Sequence, residues 1–421
     1  MKILLSVAFL MTTTLSFAQN AAPGSVHSSP AEVEVAEAQK VIADKPAQSA
    51  GYDRLAIALI ARARETSDDT YYAQAGEAVS KSLQLSPGNF DTQKIRVSVL
   101  LGEYKFAQAL AEATALNKKV PDDVTVYGLL TDADVGLGNY SDAENSAQWM
   151  LNLRPGNRPA LIHAARLREI FGDAEGAYEL MDLAYQSTPP TESGERALLL
   201  AQMGHLRLVS GSIEAADKLL QQALATFQDC PDALTNLAQV RIAQKRYGDA
   251  VALLQRRYQA VPRAGSLYQL AEALQLDGRG GEAQKAFAEF EEKAARESDQ
   301  RDNSNRELVF YYADYAKQPG KALKIAQQEY AWRHDVYTLD AYAWALHVNG
   351  QDAEARKQIE AALAVGIRDA RLFLHAGEIA VKLGDVAAVK GYEKDLTEMR
   401  TAESEAAKST LASLAPTAAR P

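Results

Sequence analysis

The chain has 421 residues, 47% of them hydrophobic, and a formal net charge of −10. That is enough apolar mass for a large core, and acidity without a basic run excludes a phosphate-binding nucleic-acid surface. The single cysteine excludes an intramolecular disulfide and a thiolate metal site.

Residues 1–18 read as a cleavable signal peptide. Lys2 gives a positive start and residues 3–10 an apolar core. Ser16, Phe17 and Ala18 form a small-x-small cleavage site before Gln19. The apolar run is too short, and too interrupted by threonines, to span a membrane. Export is the expectation, with no membrane span. Residues 19–50 read as a flexible linker, rich in Ser, Pro and Ala at its start, with a short acidic capping helix over 31–43.

From 51 to 400 one unit recurs. Its clearest copy is 231–262. Leu234, Leu237, Ala238 and Ile242 fall on one helical stripe, and a turn around Gly248 interrupts it. Ala250, Leu253, Leu254 and Tyr258 then resume the stripe until Pro262 stops the helix. Ala238 and Ala250 are small enough for two helices to cross closely. Alanines at 107, 143, 177, 216, 250, 283, 322 and 355 mark successive copies, in steps of 33 to 39 residues. A glycine five residues earlier recurs at 102, 138, 172, 211, 278 and 350. Copy eight, 303–333, departs most: its turn is Gln318-Pro319-Gly320, and Phe310, Tyr311, Tyr312 and Tyr315 crowd its first helix. Such a unit cannot bury its own apolar face and must stack on neighbours. The expected fold is all-α. Residues 401–421, rich in Ala, Ser, Thr and Pro, read as a disordered or fraying tail.

The period and its Gly/Ala/Tyr/Pro marks resemble the tetratricopeptide repeat (TPR). The resemblance implies a right-handed superhelical α-solenoid of about ten helix pairs, whose first helices line a concave groove. Repeats of this kind behind a signal peptide look bacterial, which implies a periplasmic or secreted protein.

Motif chemistry is sparse. No histidine pair has the HExxH spacing, and no nucleophile elbow occurs. The GRGGEA stretch at 278–283 lacks the Gly-Lys-Ser/Thr ending of a phosphate loop and sits between two helices. No enzyme, cofactor or metal is expected. Cys230 reads either as a small buried residue or as one half of an intermolecular disulfide.

The family's groove positions, carried over copy by copy, fall on Arg96, Asp132, Arg166, His205 and Gln239. They continue through Glu272, Tyr311, Trp344 and Glu378. Tyr268, Asp314, Tyr315, Asp340 and His347 lie one helical turn away. Asn236 matches an asparagine that some family members use to hold a peptide backbone. The aromatic surface of Tyr268, Tyr311, Tyr315, Tyr337 and Trp344 is the expected anchor, since such side chains bury much area with few rotors. The implied function is a non-catalytic protein–protein interaction scaffold or adaptor. The alternative is a glycan-binding accessory of polysaccharide export or cell-envelope assembly.

Overall fold

The computed structural model describes residues 29–298 and 304–414. The expected signal peptide, the start of the linker and residues 415–421 lie outside the described residues. Among the described residues every regular element is helical.

Helix α1 (Pro30–Asp44) begins at Ser29, whose hydroxyl accepts from the Glu32 N–H. Ten helix pairs follow. The first five are α2 (Ser49–Thr66) with α3 (Thr70–Leu85), α4 (Phe90–Gly102) with α5 (Phe106–Lys119), α6 (Val124–Leu137) with α7 (Tyr140–Leu153), α8 (Arg158–Ile170) with α9 (Ala174–Gln186), and α10 (Ser193–Val209) with α11 (Ile213–Thr226). Then come α12 (Pro231–Ala243) with α13 (Tyr247–Ala260), α14 (Ala264–Leu276) with α15 (Gly280–Glu297), and α16 (Ser304–Phe310) with α17 (Pro319–Tyr330). A π-helical turn, Tyr311–Tyr315, extends α16. The last pairs are α18 (Val336–Val348) with α19 (Asp352–Leu363) and α20 (Ala370–Leu383) with α21 (Val386–Met399), and α22 (Ala402–Leu414) closes the array.

The expected all-α solenoid is the fold observed, with corrections to the phase of the unit. In eight of the ten pairs the second helix presents a buried alanine at its fourth position, such as Ala143, Ala177, Ala216 and Ala250. In hairpin two that residue is Ala109, fully buried, and not Ala107, which is exposed. Gly102 ends helix α4, and Tyr104 takes the left-handed turn position at φ 56°. In hairpin six Lys245, at φ 59°, holds that position, while Gly248 lies inside α13. A left-handed residue costs about 1 kcal/mol more when it carries a side chain, so a glycine there is a preference and not a requirement. That is why glycine spacing misplaced the turn.

Residues 402–414 are not a fraying tail. Leu411 is fully buried, and a Cβ on Gly377 would come within 2.5 Å of it. Without this helix the apolar face of α20 would meet water, so a terminal helix is the physical requirement of an open-ended stack. Cys230 is also fully buried, and burial pushes its thiol up to about 12. That environment fits the packing role and shields the sulfur from a partner thiol.

The superhelix winds tightly enough to touch itself. The turn of one hairpin meets the connection that precedes the hairpin six places later. Arg263 Nη2 bonds Asp69 at 2.6 Å. The His334 N–H donates to the Leu137 carbonyl at 3.2 Å, and the Val336 N–H to the Tyr140 hydroxyl at 2.9 Å. A Cβ on Gly172 would lie 2.5 Å from the Gly366 carbonyl oxygen, and one on Gly211 2.9 Å from that of Arg400. Core packing crosses this seam. Tyr140, Ala143 and Leu167 of the first superhelical turn share one cluster with Val336, Leu339, Ile359 and Leu372 of the second.

Candidate ligand-binding interior

The first helix of each pair faces the interior, and closure of the seam makes that interior common to both superhelical turns. Its N-terminal end opens as a cleft of about 920 Å³ between α1, α2, α4 and the start of α10. Helix α2 carries two apolar stripes. Ala56, Leu59 and Ala63 are buried in the array. Ile57 and Ala61 line the cleft with Leu198, and Ile60 and Ile95 reach it from the core cluster on which they pack. Ile57 is 56% exposed in mid-helix. Gly194 of α10 lets this wall close: a Cβ there would lie 2.5 Å from Glu65 Oε1.

Arg64 links the cleft to the deeper wall. It pairs with Glu195 at 3.4 Å and also acts on Asp132. Burial works against ionisation of Asp132. His163 at 3.3 Å, with Arg166 and Arg64, overcomes it and holds the carboxyl at about 2. Next along the wall, His205 Nε2 lies 2.7 Å from Glu169 Oε1. Burial disfavours its charged form, but Glu169, Asp232 and Asp369 together raise its pKa.

The wall of the later hairpins is more acidic. Burial pushes Glu272 up to about 7, against the pull of Arg371 and of the Tyr268 and Tyr315 hydroxyls. Burial also raises Glu307, Asp314, Glu378 and Glu403. Arg371 sits among Glu272, Glu307 and Glu403, which come from three other helices. Its closest carboxylate is Asp340, 3.8 Å away. Its guanidinium lies 4.7 Å from the centre of the Phe310 ring. Asp340 is 1% exposed and bonds His375 Nδ1 at 2.6 Å.

The residues anticipated from sequence divide into three groups. Arg166 and His205 reach the interior, as do Glu272 and Tyr315, whose hydroxyl donates to Glu272 at 3.2 Å. Tyr268, Trp344 and His347 are in the wall but already engaged. Tyr268 is packed on Phe287 and Phe290. Trp344 donates to Asp314 at 2.9 Å, and its ring lies against the imidazoles of His375 at 4.1 Å and His347 at 5.1 Å. His347 Nδ1 is 2.6 Å from Asp352. Gln239 is half-buried on α12.

Two assignments are corrected. Tyr311 turns to α15: its hydroxyl donates to Glu291 at 3.0 Å and its ring packs on Phe287 and Phe290. The π turn slips the register by one residue, so Asp314 and Tyr315 take the inward positions. Asn236 donates to the carbonyl of Ala201 on α10 at 3.3 Å, which ties two inner helices together rather than holding a peptide. Arg96 pairs with Glu112 on α5 at 3.0 Å.

Arg371, Glu307 and the cleft were missed. A signal existed for the cleft: Ile57, Ile60, Ala61 and Arg64 follow i, i+3, i+4, i+7 beside the buried stripe, so α2 is apolar on two faces. No local pattern marked Arg371, whose surroundings come from helices distant in sequence.

No family model matches the chain, and no curated protein matches it. Solved structures do resemble its fold. It is 16% identical to a chain of the APC/C hetero-tetramer Cut9–Hcn1, over 84% of this chain and 60% of that one, at a TM-score of 0.49. It thus spans 60% of that chain's length. It is 12% identical to a chain of the human IFIT1 dimer with PPP-AAAA, over 89% and 96% of the two chains, at 0.49. PilW, a type IV pilus biogenesis factor, is 16% identical over 49% of this chain and 94% of its own, at 0.42.

Proposed function

We propose that the chain is an exported, non-catalytic scaffold of the tetratricopeptide kind that holds a segment of another protein inside its superhelix. The observation that carries this reading is the shared interior. Inner helices from both superhelical turns converge on it, and its charged groups act on one another from up to four helices, as at Arg371. Among the described residues Arg371 has no carboxylate closer than 3.8 Å, and its side chain is half-exposed, so its donors are open to a guest. Polar side chains held at fixed positions along a wall read the side chains and backbone of an extended chain. Aromatic faces beside mixed Asp, Arg and Gln side chains would suit a glycan as well. Trp344 instead lies against two imidazoles, and Tyr268 is buried among other rings.

Photo-crosslinking in the native host tests the scaffold reading. A crosslinking amino acid in place of Arg166 or Gln239 should yield a discrete protein adduct. The same residue in place of Trp149 or Leu183, exposed on outer helices, should not. Equal adducts from inner and outer positions, or none from the inner ones, would overturn it. Export has its own check: the isolated protein should begin at Gln19, and a mature chain beginning at Met1 would contradict export by cleavage.

A further inference from the structure

We propose that the N-terminal cleft is the docking site for a basic amphipathic segment of a partner protein. This deepens the scaffold reading and rests on it. Three observations point to this occupant.

The first is the floor. Ile57 stands 56% exposed in mid-helix, with Ile60, Ala61, Ile95 and Leu198 around it. Apolar side chains on a surface that the fold turns inward gain by being covered, at about 25 cal/mol per Å². The cavity of about 920 Å³ has room for several large side chains.

The second is the rim. Carboxylates line the cleft at Glu34, Asp53, Glu65, Asp91, Glu192 and Glu195, against three cations, Arg54, Arg64 and Lys94. Each of those cations is already engaged. Arg54 pairs with Glu34 at 2.8 Å, Arg64 with Glu195 at 3.4 Å, and Lys94 with both Asp91 and Asp123 near 3 Å. Among the described residues Asp53 pairs with no cation and accepts only from the Thr92 hydroxyl. Two more carboxylates are met by cations from outside the cleft, Glu65 by Arg62 at 3.5 Å and Glu192 by Arg158 at 2.9 Å, so the charge left over is that of Asp53, and a guest placing a Lys or Arg beside its apolar face is the complement.

The third is what the chain itself could offer. Pro30 lines the cleft and the Ser29 hydroxyl bonds Glu65 beside it, so the sequence before Ser29 is the chain's own candidate. Residues 19–28 contain no Lys or Arg, and Val26 is their one apolar residue larger than Ala or Pro. With residues 1–18 removed as the proposed signal peptide, that segment lacks both halves of the complement. A partner supplies them.

The test uses the full chain and two labelled synthetic 14-residue peptides, one built of Leu and Lys and one of Leu and Glu at helical spacing. Fluorescence anisotropy should show the Leu/Lys peptide binding and the Leu/Glu peptide binding at least ~10-fold more weakly. Ile57→Asp should weaken the Leu/Lys peptide by ~10-fold or more, since it removes the centre of the floor. Asp91→Lys, at a highly exposed rim position, should weaken it by ~3-fold and flatten its salt dependence. Leu183→Asp on the outer surface should leave it unchanged. Circular dichroism of each variant separates lost binding from lost fold. Equal binding of the two peptides, or Leu/Lys affinity unaffected by Ile57→Asp, would overturn the inference. So would a chain lacking residues 1–28 that binds far more tightly, which would assign the cleft to the chain's own N-terminus. Crosslinking at Arg166 and Gln239 does not depend on the cleft, so either reading can fail alone.

Discussion

At the scale of single residues, the energetics turn on positions where the local rule is broken. Tyr104, Lys245 and Lys317 occupy left-handed turns that glycine fills in other hairpins. Lys245→Gly removes that strain without touching a packed side chain. It should stabilise the fold by about 0.5–1 kcal/mol, read as a raised denaturation midpoint at unchanged slope. Glu272 is a strained residue of another kind. Burial pushes its carboxyl up to about 7 in the folded chain, from an ordinary value near 4.5. The folded state therefore holds the proton more tightly, and stability falls as pH rises from about 4.5 through 7. Glu272→Gln removes that penalty. It should stabilise by on the order of 2 kcal/mol at pH 8 and by little at pH 4. A gain equal at both pH values would show that the carboxyl is not strained. His205 has a slope of the same sign, at higher pH. Its raised pKa adds stability that is complete below about 6.5 and is lost as pH rises beyond it.

At the scale of the element, the glycines of the turns do one job in some hairpins and two in others. Gly172 and Gly350 both adopt left-handed geometry, at φ 82° and 74°. A Cβ on Gly350 would meet nothing, whereas one on Gly172 would strike the Gly366 carbonyl of the next superhelical turn. Replacing either with Ala costs the same backbone term of about 1 kcal/mol, and Gly172→Ala should cost a further 1–3 kcal/mol from the collision. The difference between the two midpoints measures how firmly the seam is packed; no difference would mean that it yields freely. Much at this scale was legible in sequence. Apolar stripes and a period near 34 residues disclose the hairpins because each hairpin is made by local contacts. Two things were not legible. The register of hairpin eight was hidden because nothing in Tyr311, Tyr312 and Tyr315 announces a π turn. The docked α22 was hidden because an Ala-rich, polar stretch becomes a helix cap only when Gly377 and its neighbours present a face to cover. The interior was half legible: family positions found Asp132, Arg166, His205 and Glu272. Trp344 was read as an open anchor because its stacking partner His375 comes from another hairpin.

At the scale of the whole molecule, the seam changes what kind of object the chain is. An open solenoid has contacts only between neighbours, so its stability is a sum of local terms and its ends can fray independently. Here hairpins one, three, four and five are each fastened to residues about 190 positions away, by the Asp69–Arg263 pair and the contacts of His334, Gly366 and Arg400. The shared cluster around Tyr140 and Leu339 makes that fastening apolar as well as polar. Closure also sets access to the interior, since a guest must enter by an end or wait for the seam to part. Unfolding should therefore be a single cooperative transition across hairpins three to ten, in spite of the repeat architecture. Gly138→Val tests this. Its Cβ would lie 2.5 Å from the His334 carbonyl oxygen, where backbone cannot easily give way. The variant should keep its helical content, because each hairpin is locally complete. Small-angle scattering should show a larger radius of gyration, and the thermal transition should broaden or divide in two. If the dimensions stay the same and melting remains one sharp step at a lower temperature, the winding is held by the stacking of neighbours alone. The seam would then be a consequence of the superhelix and not a cause of its closure.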